Sequence, residues 1–393
     1  MNNHAPYLLE PALWSFPIPI AYGPGRITEL GSFCLDAGMR RPLLVTDRGS
    51  ANLAFVGAAL ASLTASGISG EVYADISPNP TDVEIDAGRS YFCQHGHDGV
   101  IAIGGGSGMD AGKAISLVAR NDHDLWEFDY DRAEAPALLR ADFVPLVTIP
   151  TTAGTGAETE STAMVTSVAR GVKGCVWHAA HKPSVTLLDP DLTLQLPANL
   201  TAWTGVDALV HAIEAFTVPA FHPACDALAL QAIRLIYPWL PHAVAEGDNR
   251  EARAAMLVGS CLAGVAFLKG LGLVHAMSHM IGATHDTHHG LTNAVLLPPV
   301  LRYNRDQMEA KATQMAVAMG LENPGFDSFY ASIVVLLEAL EIPDNLGALG
   351  IGEDDIGVLA KKAHTDAACA TNAKAVSVAQ IETLLREALT QVR

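Results

Sequence analysis

The sequence predicts two consecutive domains, an α/β domain followed by an all-helical one, with the boundary near residue 190. A chain of 393 residues is longer than one ordinary hydrophobic core requires. The first half alternates short apolar runs with amphipathic stretches, which is typical of parallel α/β folds. After Asp189-Pro190 the pattern changes to long Ala/Leu-rich helical stretches that continue to Arg393. We find no repeat or long linker, so we expect the two halves to pack closely around a cleft.

Each element of the first half is predicted from an apolar run and the turn that ends it. The Gly23-Pro24-Gly25 turn closes the first strand. The Pro78-Asn79-Pro80 turn and Thr81 supply a stop signal and an N-cap for a helix. The predicted strands are 14–22, 42–46, 71–74, 99–103 and 144–149, with further extended segments leading to residue 188. Four helices are predicted. The first ends near residue 38, the second spans 52–66, the third runs from 81 to about 95, and the fourth runs from the loop after 103 to about 120.

Composition limits the classes of partner. Lys+Arg number 24 against 42 Asp+Glu, and the resulting net charge of -18 repels phosphate backbones and anionic lipids. Nucleic acid and membranes are therefore not expected partners. The first 19 residues lack the pattern of a signal peptide, and nowhere do 18 uncharged apolar residues run together. The six cysteines include no CxxC pair, which predicts neither a disulfide framework nor a thiolate zinc site. Together these features predict a soluble cytoplasmic protein.

A glycine-rich loop follows the predicted strand 99–103 and precedes a helix. It runs from Gly104 to Asp110 with the sequence GGGSGMD. Glycines let the backbone approach an anion closely, and the free amides of a new helix favour negative charge. A pyrophosphate would fit there. The loop is neither a G-x-G-x-x-G fingerprint nor a Walker A loop, and an ordinary strand-to-helix turn is an equally good interpretation of its spacing.

Two further features favour a nucleotide. The loop 150–158 supplies the hydroxyls of Thr151, Thr152 and Thr155, which could complete a cradle for phosphate or ribose, although a Thr-capped turn is the alternative. Asp47 closes the strand 42–46, where a carboxylate can bind an adenosine ribose and repel a 2′-phosphate. This favours NAD over NADP. The alternative for Asp47 is a capping aspartate before Ser50.

Imidazole and carboxylate side chains recur at helical spacing in the second half. Asp207 and His211 are four residues apart in a helical pattern, so their side chains share one face. His275 and His279 repeat that spacing, and His289 follows fourteen residues after His275. Such ligands suit Fe(II), Zn(II) or related ions better than Mg or Ca. A single histidine in an apolar stretch is more often a core residue, but five between positions 275 and 289 favour a metal site.

Taken in order, these motifs resemble the iron-containing (group III) alcohol dehydrogenase family over nearly the whole chain. The resemblance implies a dehydroquinate synthase-like fold with an α/β, Rossmann-like dinucleotide-binding domain at 1–190. It also implies an all-α metal-binding and substrate domain at 191–393, with metal and nicotinamide meeting in the cleft. The residues that carry the resemblance are the Gly104 to Lys113 and Pro150 to Glu158 loops, Leu188-Asp189-Pro190, Leu196-Pro197, Thr204 to Leu209, Glu214, Gly272, His275, His279, Gly282, His289 and Gly290.

The resemblance also implies roles for individual residues. The metal ligands are Asp207, His211, His275 and His289, and the ion is iron, with zinc or another divalent ion as the alternative. His279 is the additional histidine beside the metal. The expected catalytic residues are His279 and Asp110. The expected NAD-binding residues are Asp47, Gly104, Gly105, Gly106, Ser107, Asp110, Thr151, Thr152, Thr155 and Lys173.

The implied activity is that of an oxidoreductase, which moves hydride between NAD(H) and a primary or secondary alcohol or its carbonyl form. The metal is expected to polarise the substrate oxygen and His279 to relay the proton. The chain departs from the family at Ser278, at His288, where proline is usual, and around 266–270. These departures lie near the expected substrate pocket and leave the substrate open. Lys269 would suit an acid-bearing substrate, with a solvent-facing lysine before a turn as the alternative.

Three other functions remain open at this point. A zinc enzyme of the glycerol dehydrogenase or dehydroquinate synthase type would share the fold and could be a lyase. A maleylacetate reductase-like enzyme would work without metal, and a non-catalytic NAD or metal sensor would lack turnover. Family members are commonly dimers or larger, which predicts a homodimer or a higher homo-oligomer.

Overall fold

The computed structural model describes residues 18–392 and the backbone of Ala12–Trp14. The chain divides into two compact units. The first consists of Met1–Thr152 and Ala157–Gln195, and the second of Ala153–Gly156 and Leu196–Arg393. Within the described residues, every strand belongs to the first unit and the second is helical. The predicted fold class, an α/β domain followed by a helical domain, is confirmed.

A seven-stranded sheet forms the centre of the first unit, in the order β1-β2-β9-β6-β5-β3-β4. Its pairs are parallel except for the antiparallel pair β1–β2, and β7 and β8 form a separate antiparallel pair. The central strands are buried along their whole length, because a parallel sheet is covered on both faces. The strands are β1 Ala12–Trp14, β2 Ile20–Tyr22, β3 Pro42–Val45, β4 Glu71–Tyr73, β5 Gly99–Gly104, β6 Leu146–Pro150, β7 Thr162–Ser167, β8 Val172–Trp177 and β9 Val185–Leu188.

Alternate residues of these strands face two separate hydrophobic clusters. Val100 and Ala102 of β5 belong to one cluster, and Ile101 and Ile103 belong to the other. Side chains of a strand point alternately to its two faces, so helices must cover both. The covering helices are α1 Leu30–Asp36, α2 Ala54–Ala65, α3 Asp82–Gln94 and α4 Gly106–Val118.

The predicted turn at the start of α3 is confirmed. Thr81 is the N-cap, and its hydroxyl accepts a hydrogen bond from the Glu84 amide while the Glu84 carboxylate accepts one from the Thr81 amide. This reciprocal capping box satisfies two of the amides that a helix start leaves without partners. The helix therefore begins where the sequence predicts.

The predicted first strand is wrong. Instead of one strand over 14–22, β1 and β2 pair antiparallel, with Trp14 opposite Ile20. Positions 15–17 of that prediction lie outside the described residues. Pro19 immediately precedes β2, and proline has no N–H to donate to a strand ladder. The apolar run alone did not distinguish one long strand from two short ones.

The second unit contains nine α-helices in its described residues. One stretch, Arg250–Lys269, is long and apolar enough to span a bilayer; 18 of its residues have a mean hydropathy of 1.5, but 78% of those 18 are buried inside the structure. That burial is typical of a core helix. The helices are α5 Ala198–Thr217, α6 Pro223–Ala245, α7 Arg250–Ala266, α8 Leu273–His285, α9 His289–Ala318, α10 Phe326–Ala339, α11 Ile356–His364, α12 Ala367–Ala370 and α13 Val378–Thr390.

Candidate metal centre and cofactor loops

Three helices of the second unit bring four predicted ligands together. Asp207 and His211 lie on α5, His275 on α8, and His289 is the first residue of α9. One potential ligand atom from each lies within 4.8 Å of all the others. The Nε2 atoms of His211, His275 and His289 are 4.0, 3.9 and 3.6 Å from Oδ1 of Asp207. Ligands held 2.0–2.1 Å from a tetrahedral ion would be about 3.4 Å apart, so this group is close to the size that a divalent ion requires.

A glycine contact between α5 and α9 makes this arrangement possible. A Cβ atom added to Gly290 would lie 2.3 Å from the carbonyl oxygen of Trp203 and 3.0 Å from Cβ of Asp207. No side chain fits in that space. The glycine therefore lets the start of α9 approach α5, which places His289 beside Asp207.

The protonation states of the group suit metal binding. Burial lowers the pKa of His275 well below its ordinary value, and the neighbouring histidines lower it further. Burial acts to raise the pKa of Asp207, but His211, His289 and the Asn293 amide outweigh it, so the pKa of Asp207 is lowered. Neutral imidazoles and an ionised carboxylate are the forms that bind a cation. The chemistry of the group therefore fits a divalent metal ion.

An asparagine side chain shows where these ligands converge. Nδ2 of Asn293 donates a hydrogen bond of 2.7 Å to Oδ1 of Asp207. The same nitrogen lies 3.2 Å from Nε2 of His275 and 3.1 Å from Nε2 of His289. Three electron-pair donors thus point at one partly positive N–H₂ group. Sequence reasoning did not select Asn293, although it lies four residues after His289 on α9.

Glu214 is a second residue of the site to which the sequence assigned no role. Its Oε2 accepts hydrogen bonds from Nδ1 of His275 at 2.7 Å and from the Gly272 amide at 2.9 Å. Its Oε1 accepts a bond of 2.7 Å from the Val274 amide. Burial raises the pKa of Glu214 to about 7, against the lowering effect of these amides. The available signal was the spacing of Glu214, two helical turns after Asp207 on the same face.

The predicted catalytic histidine lies beside the four predicted ligands. The His279 ring stacks on His289 with 5.4 Å between centroids and 13° between planes. Its Nδ1 lies 3.0 Å from Oδ2 of Asp366, at the start of α12. Asp366 is 87 residues further along the chain, so local spacing could not reveal this pair.

The residues at which the chain departs from the family have specific contacts here. Oγ of Ser278 is 3.4 Å from Nδ1 of His289, so it lies behind a ligand. His288 is the N-cap of α9, and its ring is 5.0 Å from that of Trp203. Ser278 contacts His289, and His288 directly precedes it in the chain. These positions are therefore placed to affect the geometry of the site.

Lys269 is buried, so its solvent-facing interpretation is wrong. Its Nζ donates to Oδ1 of Asp226 at 2.5 Å and to the carbonyl oxygen of Phe216 at 3.3 Å. Phe216 lies at the end of α5, where carbonyl groups lack intrahelical partners and favour a cation. The ammonium is therefore already paired inside the helical unit. It is not the free cation that an acid-bearing substrate would need.

The predicted phosphate loop joins β5 to α4. Gly104 has φ +140, and Gly105 is the N-cap of α4. A Cβ on Gly108 would lie 2.8 Å from the carbonyl oxygen of Ile103 and 3.2 Å from Cα of Thr46, so a glycine is needed there. No described side chain caps this helix start. Its first amides are thus of the kind that bind phosphate oxygens.

The second loop lies partly beside the first. The Thr151 amide donates to the carbonyl oxygen of Gly104 at 2.9 Å, and a Cβ on Gly105 would lie 3.3 Å from Cγ2 of Thr152. Thr155 belongs to the segment Ala153–Gly156, which is part of the second unit. Thr151 and Thr152 therefore lie beside the glycine loop in the first unit, whereas Thr155 belongs to the second unit.

The other predicted cofactor residues have protein partners of their own. Both carboxylate oxygens of Asp47 accept bonds from Ser50, from its amide at 3.1 Å and its hydroxyl at 2.7 Å. This is the turn that the alternative interpretation described. The Ser107 hydroxyl donates to the Pro78 carbonyl at 2.7 Å, and Nζ of Lys173 donates to Oδ1 of Asn79 at 3.2 Å.

Asp110 and Lys113 lie three residues apart in α4, and each acts on the pKa of the other. Burial raises the pKa of Asp110, and Lys113 and Lys173 oppose that change. Burial lowers the pKa of Lys113, whose Nζ donates to the Ala157 carbonyl at 2.7 Å. Lys113 thereby joins α4 to the turn that follows the second loop. Sequence reasoning assigned it no function of its own.

Comparison with known proteins places both halves of the chain in one family. A family model described as "Iron-containing alcohol dehydrogenase" matches residues 17–190, and "Fe-containing alcohol dehydrogenase family, C-terminal" matches residues 201–389. The chain is 36% identical to NAD-dependent methanol dehydrogenase of Bacillus methanolicus over 95% of this chain and 100% of that protein. It is 37% identical to 1,3-propanediol dehydrogenase of Citrobacter freundii, over 93% and 96% of the two chains. A crystal structure of a 1,3-propanediol oxidoreductase superposes with a TM-score of 0.90 at 36% identity, covering 94% of this chain and 97% of the other.

Proposed function

Because this chain belongs to the iron-containing alcohol dehydrogenase family and is an NAD-dependent oxidoreductase of alcohols and aldehydes, we propose that it works with one iron ion held by Asp207, His211, His275 and His289. The observation that carries the proposal is the convergence of these four side chains, whose ligand atoms lie within 4.8 Å of one another. An Asp/His₃ set also accepts zinc, so the ion must be identified by experiment.

The roles of the residues follow from their contacts. When bound, the ion supplies the Lewis acidity that lowers the pKa of an alcohol, and NAD supplies the hydride acceptor. Glu214 and Ser278 lie behind His275 and His289 and direct their Nε2 atoms towards the centre of the site. His279, oriented by Asp366, provides a nitrogen beside the ligands for moving the hydroxyl proton.

The cofactor loops have a role of their own in this proposal. The amides at Gly105 and Gly106 begin α4 and bind the pyrophosphate, with Thr151 and Thr152 beside them. Asp47 binds the adenosine ribose and disfavours a 2′-phosphate. Thr155, Asp110 and Lys173 remain predicted cofactor contacts, and Asp110 a predicted catalytic residue.

We propose small uncharged primary alcohols and their aldehydes as the substrates. Two relatives are named for methanol and 1,3-propanediol, which are uncharged. In this chain Lys269, the cation considered for an acid-bearing substrate, is paired with Asp226.

A metal-reloading experiment tests the proposal. The protein is stripped of metal, reloaded separately with Fe(II), Zn(II) or Ni(II), and assayed with NAD(H) on a panel of alcohols and aldehydes. We expect no turnover without metal and the highest turnover with Fe(II). Full activity in the metal-free protein would favour the maleylacetate reductase-like alternative, and no turnover with any metal would refute the proposal.

A single substitution tests the ligand assignment. His275→Ala should lose both bound metal and turnover while its affinity for NAD stays near that of the wild type, because His275 lies in the second unit and the phosphate loop in the first. His364→Ala is the matched control, since His364 is an exposed histidine of the same unit at the end of α11. Metal content by mass spectrometry and NAD binding by fluorescence are the measurements. A His275→Ala protein with full activity in the presence of chelator would contradict the assignment.

The homodimer and the cytoplasmic location stay predictions. Sedimentation of the purified protein and fractionation of cells that express it would test them.

A further inference from the structure

Glu214 connects the start of one ligand-bearing helix to a ligand on that helix. It lies on α5, 5% exposed, and both of its carboxylate oxygens accept hydrogen bonds from the beginning of α8. One of these oxygens also accepts a bond of 2.7 Å from Nδ1 of His275. We propose that Glu214 is a positioning residue that holds His275 with its Nε2 free for the ion and so sets the affinity of the site for metal. The inference rests on the metal-dependent function proposed above.

The hydrogen bonds define which ring nitrogen carries the proton. Both oxygens of Glu214 accept amide N–H groups, which favours its ionised form, and an ionised carboxylate can only accept a hydrogen bond from a third partner. Nδ1 of His275 is therefore the donor, and the neutral ring has only one N–H. Nε2 keeps its lone pair and faces the Asn293 amide at 3.2 Å. Without Glu214 either nitrogen could carry the proton and the ring could turn.

The Nδ1 contact of His275 with Glu214 is stronger than that of His289 with Ser278. Nδ1 of His289 is 3.4 Å from the hydroxyl of Ser278, a longer contact to a neutral group. A charge-assisted bond of 2.7 Å fixes a ring more firmly than such a contact. Carboxylate partners of metal-bound histidines typically change metal affinity 10–100-fold when they are removed. Glu214 should therefore have the larger effect on the site.

The close approach of Glu214 to α8 depends on the local backbone. A Cβ on Gly272 would lie 2.8 Å from Oε1 of Glu214, so the carboxylate fits only against a glycine. The next amide of the same helix start, that of Leu273, donates instead to Oδ1 of Asn372 at 3.1 Å. Asn372 thus supports the same helix start and is hydrogen-bonded to Asn304. This gives a matched control for the structural part of the role of Glu214.

The test compares Glu214→Gln with Asn372→Ala in the full-length protein. Three properties are measured: the dissociation constant for Zn(II) by chelator competition, the visible spectrum of the Co(II) form, and the melting temperature of the metal-free protein. We expect Glu214→Gln to bind Zn(II) about 10–100-fold more weakly and to alter the Co(II) spectrum. We expect Asn372→Ala to lower the melting temperature, because Asn372 supports the start of α8. Its Zn(II) affinity should stay within about twofold of the wild type, because Asn372 is not the hydrogen-bond partner of His275.

The outcomes separate this inference from the function on which it rests. A wild-type protein that binds no ion would overturn the proposed metal function and this inference with it. A wild type that binds the ion normally, with Glu214→Gln equal to it, would overturn the inference alone. Equal losses of affinity in Glu214→Gln and Asn372→Ala would also overturn it, because helix support would then explain both. If Glu214→Gln does not fold, Glu214→Asp replaces it in the test, because its shorter side chain moves the carboxylate away from His275 by one methylene. Wild-type Zn(II) affinity in Glu214→Asp would again overturn the inference.

Discussion

Replacing Glu160 with glutamine should change how the stability of the protein depends on pH. Glu160 follows the 3₁₀ turn Ala157–Thr159 and is 4% exposed. Burial raises its pKa from 4.5 to about 7, although Lys113 and Lys182 act to lower it. Between these two values the folded protein keeps a proton that the unfolded chain has released. Stability is therefore lost as the pH rises through this window, and the loss is complete above the folded pKa.

The size of the effect follows from the shift. At 1.36 kcal/mol per pKa unit the whole window corresponds to about 3 kcal/mol, of which about 2 kcal/mol falls between pH 5.5 and pH 8. A glutamine side chain at this position would stay neutral at every pH and would not show this loss. For a unit of this size, we expect the melting temperature of Glu160→Gln relative to the wild type to rise by about 4–8 °C over that range.

Thermal unfolding followed by circular dichroism at several pH values measures this difference. Comparing each variant with the wild type at the same pH cancels the titration of all other groups. Glu338→Gln, on an exposed position of α10, controls for the loss of one negative charge without burial. A difference for Glu160→Gln that stays constant from pH 5.5 to pH 8, or that falls, would refute the reasoning.

Two further substitutions test the packing of the helical unit. Gly290→Ala should destabilise the protein by about 1–3 kcal/mol and reduce its metal content, because the new Cβ would lie 2.3 Å from the Trp203 carbonyl oxygen. Gly57→Ala is the control: this exposed position in α2 has no atom within 4 Å of the new Cβ, so the substitution should stabilise the protein by about 0.5–1 kcal/mol. Full metal content in Gly290→Ala would contradict the account. Lys269→Met should cost about 1–3 kcal/mol in thermal unfolding, less than a fully buried pair because the Asp226 side chain is 29% exposed. It should slow turnover of a neutral aldehyde and of its acid-bearing analogue equally, so a loss confined to the acid-bearing substrate would argue for the role in substrate binding.

The parts of the site that sequence predicted depend on local spacing. Asp207 and His211 share a face because they are four residues apart on one helix, and the periodicity of a helix fixes that relation. The glycine loop was predicted from its place between a buried strand and a helix, although its spacing fitted an ordinary turn equally well. Thr81 was recognised as a helix start because a threonine directly after a proline-rich turn is a typical N-cap.

The parts that sequence did not predict depend on contacts between distant residues. Glu214 meets His275 across 61 residues, and Asp366 meets His279 across 87. The partner of Lys269 lies 43 residues away, so the pattern around Lys269 could not show that it is buried. The error at β1 and β2 has the same origin, because an apolar run does not state which residues pair.

Local patterns in the chain were enough to predict an α/β domain followed by a helical one, the glycine loop and the residue types of the candidate metal ligands. These features follow from backbone periodicity and from the chemistry of side chains within a few positions of one another. The three-dimensional packing was needed to show that Glu214 and Ser278 lie behind two of the candidate ligands, that the candidate ligands converge on Asn293, and that Lys269 is paired. Those relations depend on how α5, α8 and α9 pack, and close packing is set by contacts such as that of Gly290 with Trp203, which join residues far apart in the chain.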